Sequence, residues 1–228
     1  TVPGIRAVVD AGTARISRYS PRSKLQRLPI ESVSRASADQ RAGRCGRVGP
    51  GIAVRLYSHD NYETRDAFTT PEIRRTNLAS VVLQTTTLRL GKLEEFPLLD
   101  PPRPEAIREG VRTLIELGAI DDRQELTDIG WKLGRMPVDP RVGRIILAAD
   151  ENGSLAEVLP IAAALEIQDP RDRPPEKRQA ADEAHSQFAD ARSDFLAYLR
   201  LWRYYQQARS EHSRNKLTRI LRKQFLSP

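Results

Sequence analysis

Ser34-Arg35-Ala36-Ser37-Ala38-Asp39-Gln40-Arg41-Ala42-Gly43-Arg44-Cys45-Gly46-Arg47 is the stretch on which the reading of this 228-residue chain turns. Residues 36–47 have the makings of a short helix. Arg41, Arg44 and Arg47 then fall at i, i+3 and i+6, offsets that stay broadly on one side of a helix. Three guanidinium groups so placed repel one another unless an anion neutralises them. Gly43 and Gly46 carry no side chain and leave room for a close approach. Fixed positive charge beside open backbone suits a polyphosphate whose transition state develops negative charge. The alternative is an arginine-rich surface helix with incidental glycines; the whole pattern QRxGRxGR favours the phosphate reading.

Upstream, residues 5–9, closed by Asp10, read as a buried strand, and Ala11-Gly12 turns the chain. Residues 13–19 and 24–30 are expected to form a hairpin around Ser20-Pro21-Arg22-Ser23. It carries Arg15, Arg18, Arg22, Lys24 and Arg27, with Tyr19 near its tip. That set suits contact with a nucleic-acid backbone, and equally an ordinary solvated hairpin.

Downstream the pattern is mostly helical. Thr70, Pro71 and Glu72 have the order of an N-cap, a first helical residue and a first-turn acid, predicting a helix to about Leu90 with Leu78, Val81, Val82, Thr85 and Leu88 inward. Pro104 opens a second helix to Leu117, with Gly118 at its C-cap. Short strands at 119–122 and 125–127 complete a winged-helix order. Helices follow at 127–135, 140–150 and 154–167, then a Pro-rich linker at 169–175. Three more are expected at about 176–190, 193–208 and 211–226. Trp202, Tyr204 and Tyr205 are read as core in preference to base-stacking platforms. Arg219, Arg222 and Lys223 share one face of the last helix.

Charge is unevenly spread. Residues 1–58 hold 11 Lys+Arg against 3 Asp+Glu, residues 59–195 hold 18 against 26, and residues 196–228 hold 8 against 1. Two basic ends favour phosphate-bearing partners. The longest apolar run, 158–165, is far below the ~20 residues of a membrane span, and no leader is expected. The single Cys45 excludes a disulfide framework and a CxxC zinc site. His59, His185 and His212 show no metal spacing, so no metal site is expected in these residues.

QRAGRCGR (40–47) resembles motif VI of superfamily 2 helicases of the DEAH-box type. TVPGIRAVVD (1–10) resembles the end of motif V, residues 34–57 follow the DEAH-box pattern almost throughout, and residues 12–31 look like the bacterial HrpA-type members. The resemblance implies a mixed α/β N-terminal piece, the end of RecA-like domain 2 (1–58). A mostly α remainder follows: a winged helix (59–139) and an incomplete helical-bundle ratchet domain (140–228).

It further implies that Arg44 and Arg47 act as arginine fingers on the γ-phosphate of ATP. Gln40 would position the attacking water or that phosphate, Arg41 would support the motif through an ion pair, and Thr1 would lie near the ribose. Arg15, Arg18, Arg22 and Lys24 would meet nucleic acid, as would Arg219 and Arg222 if the last helix lines the RNA channel rather than covering an OB-type domain. The implied partners are single-stranded RNA or DNA, an N-terminal RecA domain and a C-terminal OB-type domain, in the cytoplasm and without a membrane.

ATP with Mg²⁺ is the implied cofactor, its metal held by an N-terminal part, because the chain contains no GxxxxGK[ST] loop. Asp182-Glu183-Ala184-His185 spells DEAH but follows polar, helix-forming residues rather than a buried strand, and Asp182 and Glu183 are read as solvated helix residues. The chain alone is expected to be inactive as an ATPase. The rival reading is a non-enzymatic winged-helix module that binds nucleic acid.

Overall fold

The structure, a computed structural model, describes residues 4–20 and 25–227. Thr1, Arg22 and Lys24 lie outside the described residues. The chain forms two compact units, Thr1–Glu116 and Leu117–Pro228. The first has a small β part followed by helices, and the second is helical.

In the first unit, strand β1 (Ala7–Asp10) pairs in parallel with β6 (Ile52–Arg55), Asp10 lying opposite Arg55. Residues 5–9 are expected to be buried, but Val9 is 68% exposed, and Ile52 and Val54 of the partner strand are exposed as well. Parallel strands normally have both faces covered. This pair therefore presents apolar surface that the described part of the unit leaves open.

Gly12, at φ +72°, turns the chain into the expected hairpin. Its strands are β2 (Thr13–Arg15) against β5 (Ile30–Ser32) and β3 (Arg18–Ser20) against β4 (Leu25–Arg27). Each arm is broken once. Pro29 has no N–H for the ladder, and its carbonyl instead accepts from Ile16 at 3.1 Å.

Helix α1 (Arg35–Ala42) starts where the Ser34 hydroxyl accepts from the Ser37 N–H. It stops five residues short of the expected end. The Arg44 and Cys45 N–H groups curl back to the Arg41 and Ala42 carbonyls at 3.0 and 3.2 Å. Arg41 is thus helical, while Arg44 and Arg47 sit in the turn that follows. Two glycines in four residues weaken helix propagation, and the return to β6 needs the chain to double back tightly. A Cβ at Gly51 would lie 2.3 Å from the Cys45 carbonyl oxygen. Gly51 is therefore the glycine required by close packing; Gly43 and Gly46 are exposed.

A short helix α2 (His59–Glu63) comes next. The start signal at Thr70-Pro71-Glu72 produces only one 3-10 turn, Glu72–Arg74, and helix α3 (Ala79–Thr87) begins later. Tertiary bonds account for the break. Arg75 donates to the Ser17 carbonyl at 2.9 Å, and its own carbonyl accepts from the Tyr19 N–H at 2.7 Å. Arg75 is tied to the hairpin and leaves the helical conformation. Helix α3 packs on α4 (Pro104–Glu116), whose Gly110 lets the backbones meet: a Cβ there would lie 3.0 Å from the Leu78 carbonyl carbon. Leu88, expected inward, falls beyond the end of α3 and is exposed.

In the second unit the expected pair of wing strands reduces to one bridge, Ile120 to Leu126. The Asp121 carboxylate shapes the turn by accepting from the Arg123 and Glu125 N–H groups at 2.9 and 2.8 Å. The helices are α5 (Asp128–Leu133), α6 (Pro140–Glu151), α7 (Leu155–Glu166), α8 (Arg178–Ser186), α9 (Asp194–Glu211) and α10 (Arg214–Lys223). Thr127 and Asp139 cap α5 and α6 with their side chains.

Phe188, Leu201, Ala208, Leu217, Leu221 and Leu226 form a core cluster, with Tyr204 and Tyr205 packed against it. Trp202 departs from the expected core role: it stacks on Tyr205 at 5.5 Å yet is 40% exposed. The DEAH tetrapeptide lies on α8. There Asp182 pairs with Arg173 at 2.8 Å, and His185 is buried with Nε2 3.1 Å from the Phe225 carbonyl.

A Cβ at Gly130 would lie 1.9 Å from the Ala119 carbonyl oxygen, whereas one at Gly49 would meet nothing within 4 Å. Gly130→Ala is expected to cost about 2–3 kcal/mol, and Gly49→Ala to stay within about 0.5 kcal/mol. Urea midpoints of the two variants check the contrast.

Candidate functional site

The carboxylate of Asp10, buried at the end of β1, organises the N-terminal unit. Oδ1 accepts from Arg41 Nη1 at 2.6 Å and from the Gly12 N–H at 2.9 Å, and Oδ2 accepts from the Tyr57 hydroxyl at 2.9 Å. Burial alone would raise its pKa; the Gly12 N–H, Arg41 and Tyr57 outweigh burial and hold it below its ordinary value. Burial and the bond to Asp10 push the Tyr57 hydroxyl upward. Arg41 meets the expectation of an ion pair that supports the motif. Its charge is paired with a buried carboxylate.

A second tie lies beside the first. Arg55 Nη2 meets Asp39 at 2.6 Å, the Tyr62 hydroxyl reaches both Asp39 oxygens at 2.9 Å, and Arg55 lies over the Tyr62 ring. These contacts join α1, β6 and α2. Arg65 stacks on Tyr57 and donates to the Gly12 and Val33 carbonyls at 2.7 and 3.2 Å, closing the base of the hairpin.

Against this frame Gln40, Arg44 and Arg47 all stand exposed, on the last turn of α1 and in the loop after it. Among the described residues the Arg44 side chain has no hydrogen bond or ion pair. The structure thus brings Gln40, Arg44 and Arg47 together in one segment and separates Arg41 from them by role.

Arg15 is exposed on β2. Arg18 is engaged: its guanidinium forms a two-pronged pair with Glu31 at 2.6 and 2.7 Å and holds that carboxyl below its ordinary value. Arg219 and Arg222 belong to the other unit. With Lys223, Asn215 and Thr218 they line a shallow concavity along α10, and none of the three cations has an ion-pair partner among the described residues. No group of three or more His, Cys, Asp or Glu side chains that could hold a metal ion occurs among the described residues. No helix among them is long and apolar enough to cross a membrane.

Residues 110–138 match the family model described as the winged-helix helicase-associated domain (HA2), and residues 139–198 match its ratchet-like counterpart. The chain therefore carries the two modules of a helicase-associated region. Across its full length it is a relative of the bacterial HrpA helicases. It is 53% identical to the ATP-dependent RNA helicase HrpA homolog of Haemophilus influenzae and 52% identical to the ATP-dependent RNA helicase HrpA of Escherichia coli, each match covering 100% of the chain. The human probable ATP-dependent RNA helicase DHX34 is 37% identical over 94% of it. The chain spans 18% of the length of the two bacterial relatives.

Sequence reasoning missed Asp10, Tyr57 and Arg65 as a linked group. The available signal was an acid closing an apolar strand directly before Ala-Gly, a position where a buried carboxylate needs a partner.

Asp10 has a lowered folded-state pKa, so its contribution is complete above the unfolded value of ~3.9 and is lost as pH falls through the folded value. Asp10→Asn is expected to lower stability at neutral pH by about 1–3 kcal/mol and to flatten the loss of stability below pH ~4. Urea unfolding of both proteins across the acid range reads this directly.

Proposed function

We propose that this chain is part of an ATP-dependent RNA helicase and supplies that enzyme's sensors for the terminal phosphate. The single observation that carries the reading is the contrast within one motif. Arg41 is neutralised by a buried carboxylate, while Arg44, three residues on, is exposed and has no side-chain partner among the described residues. An exposed arginine on a braced turn is suited to meet a polyphosphate oxygen pairwise.

In this reading Arg44 and Arg47 stabilise negative charge on the γ-phosphoryl as it transfers, and Gln40 orients the attacking water or that phosphate. The ribose contact is assigned to Thr1, which lies outside the described residues. The phosphate loop and the acids that hold Mg²⁺ belong to another part of the enzyme. Residues 1–58 are the end of a RecA-like domain, 59–139 the winged helix and 140–228 the ratchet domain. The open apolar strands β1 and β6 support the first assignment, since a larger sheet would cover them.

RNA contact is assigned to the hairpin, through Arg15, Arg22 and Lys24, and to α10, through Arg219 and Arg222. Arg18 is the weakest member of the hairpin set, because leaving Glu31 for a phosphate would break an existing pair.

In the intact enzyme Arg44→Ala is expected to lower kcat by roughly 10³-fold or more; a fall of less than tenfold in a steady-state ATPase assay reassigns Arg44 to structure. Arg219→Gln with Arg222→Gln is expected to weaken RNA binding at every sequence and to reduce the slope of log K against log salt by about 1 to 2. A salt titration of RNA affinity checks it, and an unchanged slope removes α10 from the interface.

A further inference from the structure

We infer that Asp10 is a positioning residue that links the Arg44 turn to the root of the basic hairpin. The inference rests on the reading of Arg44 as a nucleotide contact and extends it to how occupation of that contact is transmitted.

One carboxylate gathers donors from three separate parts of the unit: the end of α1 (Arg41, 2.6 Å), the segment after β6 (Tyr57, 2.9 Å) and the hairpin root (Gly12 N–H, 2.9 Å). The fork of Arg41 then reaches further. While Nη1 holds Asp10, Nη2 donates to the carbonyl of Thr13, the first residue of β2, at 3.2 Å. Arg41 also accepts the Arg44 N–H at its own carbonyl, at 3.0 Å. A single residue therefore touches the exposed turn through its backbone and the hairpin through its guanidinium.

The hairpin root is held from the opposite side by Arg65, which bonds the Gly12 and Val33 carbonyls, and by the Val33 N–H, which donates to Gly12 at 3.0 Å. Both arms are gripped at their base, so a shift of Thr13 is shared by the whole hairpin rather than absorbed by one strand. An anion that draws Arg44 outward pulls on the Arg41 carbonyl. Asp10 keeps the Arg41 fork in one orientation, so the pull reaches Thr13 instead of dissipating as a side-chain rotation. Charge-assisted bonds to a buried carboxylate suit this task, being short and directional. Without the carboxylate, Arg41 is a long, flexible chain with several rotamers, and the two ends become independent.

The test uses the full-length protein that contains this chain. Amide hydrogen exchange at residues 12–15 and 30–33 is followed with and without a non-hydrolysable ATP analogue, in the unmodified protein, Asp10→Asn and Tyr57→Phe. The same proteins are assayed for ATP turnover and for RNA duplex separated per ATP. The analogue is expected to change exchange at the root by about threefold or more in the unmodified protein, to do so far less in Tyr57→Phe, and to have no effect in Asp10→Asn. Asp10→Asn is expected to separate about threefold less duplex per ATP, with KM for ATP within about twofold.

A purely structural role for Asp10 would lower the active fraction but leave duplex separated per ATP unchanged, and that outcome overturns the proposal. So does an exchange response in folded Asp10→Asn equal to that of the unmodified protein, or no response in the unmodified protein. If Asp10→Asn does not fold, Tyr57→Phe decides, and an undiminished response in it overturns the proposal. Arg44→Ala in parallel separates the two claims: normal turnover there defeats the nucleotide-contact reading, whereas lost turnover there beside an intact root response in Asp10→Asn defeats only the link.

Discussion

The N-terminal unit depends on one buried carboxylate. A charged group at the end of an apolar strand is costly to desolvate unless donors surround it. Asp10 receives three, from residues 2, 31 and 47 positions away in the chain. Removing water strengthens each bond and makes an empty lone pair expensive, so the three donors have little freedom to be elsewhere. The turn at Gly12, the end of α1 and the segment after β6 are fixed together for that reason.

Fixing Arg41 in this way divides the work of the arginine motif. Three like charges within seven residues would loosen a free-standing segment. Here one is paired with Asp10, a neighbouring carboxylate on the same helix is occupied by Arg55 and Tyr62, and Arg44 stays exposed. Preorganised charge of this sort needs its support oriented before the ligand arrives. The two ties, Arg41 to Asp10 and Asp39 to Arg55, give that support. The chain is similar along its whole length to the HrpA helicases, and residues 110–138 and 139–198 match the winged-helix and ratchet-like helicase-associated models.

The second unit presents the other concentration of positive charge. On α10, Asn215, Thr218, Arg219, Arg222 and Lys223 fall at i, i+3, i+4, i+7 and i+8, so a single stripe carries them while Leu217 and Leu221 face the core. The apolar side is committed to Phe188 and Leu201, which leaves the cationic side to water or to a ligand.

The local chemistry of the chain decided a good deal. Apolar spacing and caps placed α4 to α10 within a few residues, because those signals act over one or two helical turns and owe little to distant groups. The strand pattern placed the two arms of the hairpin, and QRAGRCGR carried the resemblance to motif VI. What sequence alone could not decide lay in contacts between distant residues. The Thr70-Pro71-Glu72 start signal was overridden because Arg75 is bonded to Ser17 and Tyr19, more than fifty residues earlier. The division of Arg41 from Arg44 depends on Asp10, thirty-one residues away from Arg41, and no local rule states which of several arginines will find a buried acid. Propensities and caps are written in neighbouring residues; the pairing of charges is set by whichever groups folding brings within about 3 Å of one another.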